Sequence, residues 1–210
     1  MRRRDKETRD RVLRAAAQLF ADRGFKKVTV RDICRAARAN VAAVNYHFGD
    51  KSGLYREVLQ RAIEIVRATS AAAREAGKGQ PPDERLRRYI GVSMCRAAAE
   101  GQSNWIARLM HREIADPTPA FDAMVDQGIR QRIEDLSAIV AELLGCPVSD
   151  ERVGRCVMSI HSQWVLFAPN PVASHLRSKL QLRNESPERV AEHIVDFSLA
   201  GIRAVTGRSG

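Results

Sequence analysis

The residues best equipped for chemistry lie between positions 29 and 51. Val41, Ala42 and Ala43 are three small side chains in a row, Asn40 precedes them, and Asn45 and Tyr46 follow one helical turn later. Small apolar side chains allow a helix to approach base edges closely and to meet thymine methyls. An asparagine amide pairs bidentately with adenine, and a tyrosine hydroxyl donates to a phosphate oxygen. Lys51 stands where a further helix should begin, and a cation there adds charge to amide groups that already point at an anion. Arg38 is long enough to reach a phosphate, against the plainer reading that it is a tolerated surface arginine.

Such residues act only if short helices hold them. Thr29-Val30-Arg31-Asp32 is a capping-box pattern, with Val28 and Ile33 at the positions of a hydrophobic staple, and it predicts a helix over 30–37. Asn40 is a good N-cap for a second helix over 41–48. Two short helices joined by a tight turn are the layout of a helix-turn-helix, whose second helix enters a major groove. Ahead of them Val12, Ala16, Leu19 and Phe20 share one face of a helix over 6–23. Gly24 can take the left-handed position after that helix, with Phe25 folding back on Phe20. Gly49-Asp50 ends the third helix and caps a fourth over 51–76.

Charge is concentrated in the same part of the chain. Of the formal net charge of +10 over 210 residues, residues 1–56 hold 15 Lys and Arg against 6 Asp and Glu. A charged run is often only a solvated face, but this polarisation fits a module that meets a polyanion, attached to a larger body. The composition, 44% hydrophobic and 29% charged, is that of a globular chain. The longest stretch free of Asp, Glu, Lys and Arg, 156–176, is interrupted by His161, Pro169, Asn170 and Pro171, so no membrane span is expected. No apolar segment follows Met1-Arg2-Arg3-Arg4, so the expected compartment is the cytoplasm. Cys34, Cys95, Cys146 and Cys156 lack metal-ligand spacing, and no metal or cofactor is expected.

The run Thr29-Val-Arg-Asp-Ile-Cys-Arg-Ala-Ala, followed by Asn40-Val-Ala-Ala-Val-Asn-Tyr-His-Phe-Gly-Asp-Lys-Ser-Gly-Leu-Tyr55, resembles the DNA-binding domain of TetR-family transcriptional regulators. Ala17-Gln-Leu-Phe-Ala-Asp-Arg-Gly-Phe25 is similar to the first helix of that family. From His111-Arg-Glu-Ile-Ala-Asp-Pro-Thr-Pro-Ala-Phe121 onward the body is similar to the CecR-like subgroup. One departure stands out: Arg38 occupies a turn position where the family usually has glycine. A non-glycine residue at positive φ costs about 1 kcal/mol, so either the turn is strained or its geometry differs.

The resemblance implies an all-α protein: a DNA-binding domain over 1–50 and an effector-binding and dimerisation domain over 51–210, linked by the helix 51–76. It implies a ligand-responsive repressor that binds a palindromic operator in double-stranded DNA as a homodimer. Val41, Ala42, Ala43 and Asn45 would face the bases and Thr29, Tyr46 and Lys51 the backbone, with Arg38 and Asn40 completing the set. Gly77-Lys-Gly-Gln-Pro-Pro-Asp83 reads as a linker, and helices are expected at 84–100, 103–115, 118–145, 150–167 and 187–205. The last two would pair across the dimer, with Trp164, Phe167, Val190, Ile194, Phe197 and Gly201 at the interface. Trp105, Met110, His111, Phe121, Met124, Met158 and His161 are candidates to line a cavity for a small, largely apolar effector, although each also fits an ordinary core. Two alternatives remain: an architectural DNA-binding protein without a sensor, and a small all-α enzyme using His111, His161 and Glu113. No P-loop, GxGxxG, HExxH or GxSxG occurs, which argues against the enzyme.

Overall fold

The computed structural model describes residues 2–99, 105–119, 125–167, 171–182 and 185–207; Phe121, Met124 and the side chain of Trp164 lie outside the described residues. Among the described residues ten α-helices follow one another: α1 Arg2–Arg23, α2 Val30–Ala37, α3 Val41–Phe48, α4 Lys51–Ala76, α5 Pro82–Ala99, α6 Trp105–Ala115, α7 Arg130–Leu144, α8 Glu151–Phe167, α9 Pro171–Lys179 and α10 Pro187–Thr206. A π-helical turn, Val125–Ile129, runs directly into α7. No strand occurs among the described residues, and the fold is all-α as expected.

Three differences from the sequence reading have local causes. Residues 116–119 are not helical, so among the described residues of the helix expected over 118–145 only the π turn and α7 are helical. The Pro169-Asn170-Pro171 break also opens a helix, α9, because proline is tolerated in a first turn, where its missing N–H would have no partner anyway. Pro82 starts α5 two residues early for the same reason.

Two compact units divide the chain, Met1–Ile65 with Ser103–Gln127, and Val66–Gln102 with Gly128–Gly210. The N-terminal unit therefore runs past the boundary drawn at residue 50 and takes in α6. Its core gathers Val12, Ala16 and Phe20 of α1, Ile33 of α2, Val44 of α3, Leu54 and Val58 of α4, and Leu109 of α6. Leu109 is 1% exposed, so α6 fills part of the interior that α1 needs.

In the C-terminal unit α10 packs against α5, α7 and α8 around Leu86, Ile90, Leu136, Val140, Val153, Ile160 and Ile194. The wide apolar face of α10 is consumed there. Val190 and Ile194, expected at a dimer interface, are buried in this core instead, as are Ala191, Val195 and Ile202. An apolar stripe on a terminal helix indicates burial but not by which neighbour, and here the neighbours belong to the same unit. Phe197 and Gly201 are exposed on the opposite side, while Phe167 is half-buried against the core, its ring centroid 5.9 Å from that of His193.

Candidate nucleic-acid interface

The interface is built from the capping of two eight-residue helices, which are too short to persist alone. Thr29 Oγ1 accepts from the Asp32 amide at 3.2 Å, and Asp32 Oδ2 accepts from the Thr29 amide at 3.1 Å, completing the capping box. The Thr29 hydroxyl and amide hydrogen bonds also hold the Asp32 carboxyl below its ordinary pKa. Ile33, Cys34 and Ala37 bury one face of α2.

The turn then passes through Arg38 at φ 50°, ψ 49°, the left-handed region. Of the two possibilities left by the sequence, the structure adopts the ordinary turn with a non-glycine residue in it. The Arg38 side chain is exposed. Asn40 Oδ1 accepts from the Ala43 amide at 2.7 Å and starts α3.

On α3, Val44 and Phe48 face the core. Val41, Ala42, Asn45 and Tyr46 form one contiguous exposed arc, with Val41 43% and Tyr46 78% exposed, and Ala43 is half-buried at its edge. Two bulky side chains left in water on so short a helix, beside small ones, form a surface shaped to meet something. The Asn45 amide has no intramolecular partner among the described residues. His47 is half-buried, with Nε2 3.2 Å from Asp5 Oδ1, and buttresses the helix rather than joining the arc.

Gly49, at φ 78°, ends α3, and Asp50 Oδ1 accepts from the Gly53 amide at 2.6 Å to start α4. A Cβ on Gly53 would lie 2.0 Å from the Phe48 carbonyl oxygen, so only glycine lets α4 leave this close to the end of α3.

Lys51 does not offer the free point charge expected of it. Its ammonium donates to the carbonyls of Phe25 and Val28, both at 3.1 Å, and lies 4.4 Å from the Phe25 ring centroid. Two carbonyls of the loop between α1 and α2 hold the ammonium, which the spacing of residues could not reveal. The loop itself begins with Gly24 at φ 78°, whose amide donates to Phe20 O at 2.8 Å, and the Phe20 and Phe25 rings are 6.0 Å apart.

The effector candidates fall in both units. Trp105 and Met110 pack against the core of the N-terminal unit, and His111 is half-buried beside them on α6. In the C-terminal unit Met158 is 68% exposed and so is a surface residue rather than a cavity lining. His161 is half-buried; burial, and then the nearby Arg132 charge, lower its pKa. Sequence reasoning missed a groove of about 640 Å³ in this unit, lined by Arg74, Gly79, Arg85, Tyr89, Glu134 and Asp135 among others. At its edge Asp135 accepts from Arg74 at 3.0 Å and from the Tyr89 hydroxyl at 3.3 Å. Burial pushes the Tyr89 phenol up to about 12. Among the described residues no group of His, Cys, Asp and Glu is arranged to hold a metal, and no helix is long and apolar enough to cross a membrane.

Residues 12–58 match the family described as bacterial regulatory proteins, tetR family, and residues 82–202 match the C-terminal domain of the HTH-type transcriptional dual regulator CecR. CecR of Shigella flexneri is 26% identical over 155 residues, covering 70% of this chain and 69% of that one. The HTH-type transcriptional repressor KstR2 of Mycolicibacterium smegmatis is 44% identical over 52 residues, a quarter of each chain. A crystal structure of AibR in complex with isovaleryl coenzyme A and operator DNA superposes with a TM-score of 0.68 at 18% identity, covering 90% of this chain and 97% of that one.

Proposed function

Because the chain belongs to the TetR family of bacterial regulatory proteins and carries a CecR-type C-terminal domain, we propose that it is a cytoplasmic, ligand-responsive transcriptional repressor. It binds a palindromic operator as a homodimer and is released by a small, largely apolar effector. The observation that carries this reading is the exposed arc of α3, with Asn45 free to pair with a base while Val44 and Phe48 anchor the helix from behind. Val41, Ala42, Ala43 and Asn45 meet base edges; Thr29, Arg38, Asn40 and Tyr46 lie along the sugar-phosphate backbone. One reading helix per chain requires two chains for a palindrome. Phe197, 63% exposed on α10 beside Gly201, supplies an apolar surface for the pairing.

Support for the remaining terms comes from relatives: one is named a repressor, and AibR was crystallised with an acyl coenzyme A as well as with operator DNA. Light scattering and fluorescence anisotropy test the proposal together. A dimer preferring a palindrome selected from a random duplex pool over its scrambled counterpart is expected. A monomer at micromolar concentration with no such preference overturns it. For release, linkage requires that operator weaken effector binding by the factor by which effector weakens operator binding. Calorimetry finding equal effector affinity with and without operator would remove that part.

A further inference from the structure

We propose that Tyr55, Arg112 and Glu113, none of them in the helix-turn-helix, are positioning residues for DNA reading: through them α4 and α6 fix the 24–28 loop and thereby the angle at which α2 and α3 are presented. The inference rests on the reading of α3 as the DNA-reading helix and concerns the N-terminal unit alone.

The connections form an unbroken path. The last carbonyls of a helix lack intrahelical partners and carry its negative end. Arg112 of α6 donates to two of them in α1, from Nε to Ala21 O at 2.9 Å and from its terminal nitrogen to Asp22 O. Although Arg112 is an exposed residue, its guanidinium is committed to the backbone immediately before Gly24. One residue on, the Glu113 carboxylate is 1% exposed. It accepts from the Thr118 amide at 3.0 Å, from the Thr118 hydroxyl at 2.9 Å and from the Tyr55 hydroxyl of α4. Burial, followed by Glu113 itself, keeps the Tyr55 phenol protonated far above its ordinary pKa, so the donor is always present.

The Tyr55 ring stands edge-on to Phe20 at 4.9 Å and lies 4.8 Å from Phe25. Phe25 in turn lies beneath the Lys51 ammonium, which holds the Phe25 and Val28 carbonyls. Val28 is the residue before Thr29, the N-cap of α2. Every residue from the end of α1 to the start of α2 is thus within one or two positions of a polar or aromatic tether. Tethers converging on one loop stabilise it and, by removing its freedom, also hold a fixed angle between α1 and the reading pair.

The test compares two equilibria, binding to a palindrome selected by the wild-type chain from a random duplex pool and binding to its scrambled counterpart. Arg112→Ala and Glu113→Gln should weaken cognate binding about tenfold or more, the worth of one well-made base contact. Scrambled binding and the salt slope should hold at wild-type values, because no phosphate contact is removed. Arg112→Lys, which keeps the charge but cannot span both carbonyls, should fall between. Tyr55→Phe keeps the ring and loses only the hydroxyl, and it replaces Glu113→Gln if that variant does not fold by circular dichroism. Folded variants that keep the wild-type ratio of cognate to scrambled affinity, or lose both affinities alike, overturn the proposal. A wild-type chain that selects no palindrome defeats the reading of α3 instead, so the two failures are distinct.

Discussion

In the N-terminal unit caps and tethers on the backbone hold two eight-residue helices, whereas in the C-terminal unit, where Asp150, Arg177 and Ser186 also meet the backbone at junctions, longer helices share one apolar cluster with ion pairs at its margin. The first has the capping box at Thr29, the Asn40 and Asp50 caps, the Lys51 ammonium on two carbonyls and Arg112 on two more. The second has long amphipathic helices and exposed or half-exposed pairs such as Arg85–Glu142 at 2.6 Å and Arg87–Asp196 at 3.3 Å. Short helices that must leave one arc in water cannot be oriented by burial alone, so directional bonds set their angles. Longer helices with a full apolar face orient one another by packing, and exposed ion pairs add little.

Four experiments press on this contrast. The largest effect is expected at Gly53. Gly53→Ala puts a methyl against a backbone carbonyl that cannot swing away and should cost about 3 kcal/mol or more. Hydrogen exchange read by mass spectrometry should show lost protection in α1–α3 and α6 but not in α5 or α10, and uniform loss would deny the units separate character. Next, Lys51→Ala should destabilise the N-terminal unit by about 1.5–3 kcal/mol in urea unfolding, the worth of hydrogen bonds to a charged group. The salt slope of DNA binding should not change; a slope reduced by about one per half-site would show that Lys51 meets phosphate after all.

Arg38→Gly should stabilise the same unit by about 1 kcal/mol, because glycine adopts φ 50° without strain. An unchanged unfolding midpoint would mean that the arginine earns its place through contacts in the free protein. The smallest effect belongs to the C-terminal unit. The His161 pKa is lower folded than unfolded, so its contribution is complete above about 6.5, the unfolded value, and is lost as pH falls through the folded one. His161→Gln should flatten the stability curve of that unit below pH 6.5 while leaving the N-terminal unit unaffected.

What was legible in the sequence follows from the range of each interaction. Thr29 with Asp32, Asn40 with the Ala43 amide, Asp50 with the Gly53 amide and Gly24 after α1 all act over three or four residues, and each was read correctly from spacing. Lys51 was misread because its partners, Phe25 and Val28, lie 26 and 23 residues back. The Tyr55–Glu113 bond spans 58 residues and has no signature in spacing at all. On α10 the pattern correctly marked Val190 and Ile194 as apolar and buried, but periodicity carries no information about whose atoms do the burying. The exposed arc of α3 was anticipated from composition, since small residues and an asparagine on a basic helix pair have a chemical reason to be together that does not depend on distant partners.

The position of α6 bears on how the protein is made. The first unit is discontinuous in the chain, and its interior lacks Leu109 and Glu113 until residues well beyond α4 have been added. At about 5–20 residues per second, the stretch from Val66 to Ala115 takes the ribosome roughly 3–10 s to add. During that interval α1–α3 form an unfinished assembly, with the groove meant for Leu109 open and the Tyr55 hydroxyl lacking its acceptor. The nascent surface of α3, to which we assign DNA reading, is therefore not in its final posture when its own sequence emerges, and it acquires that posture only once part of the later chain has returned to close it.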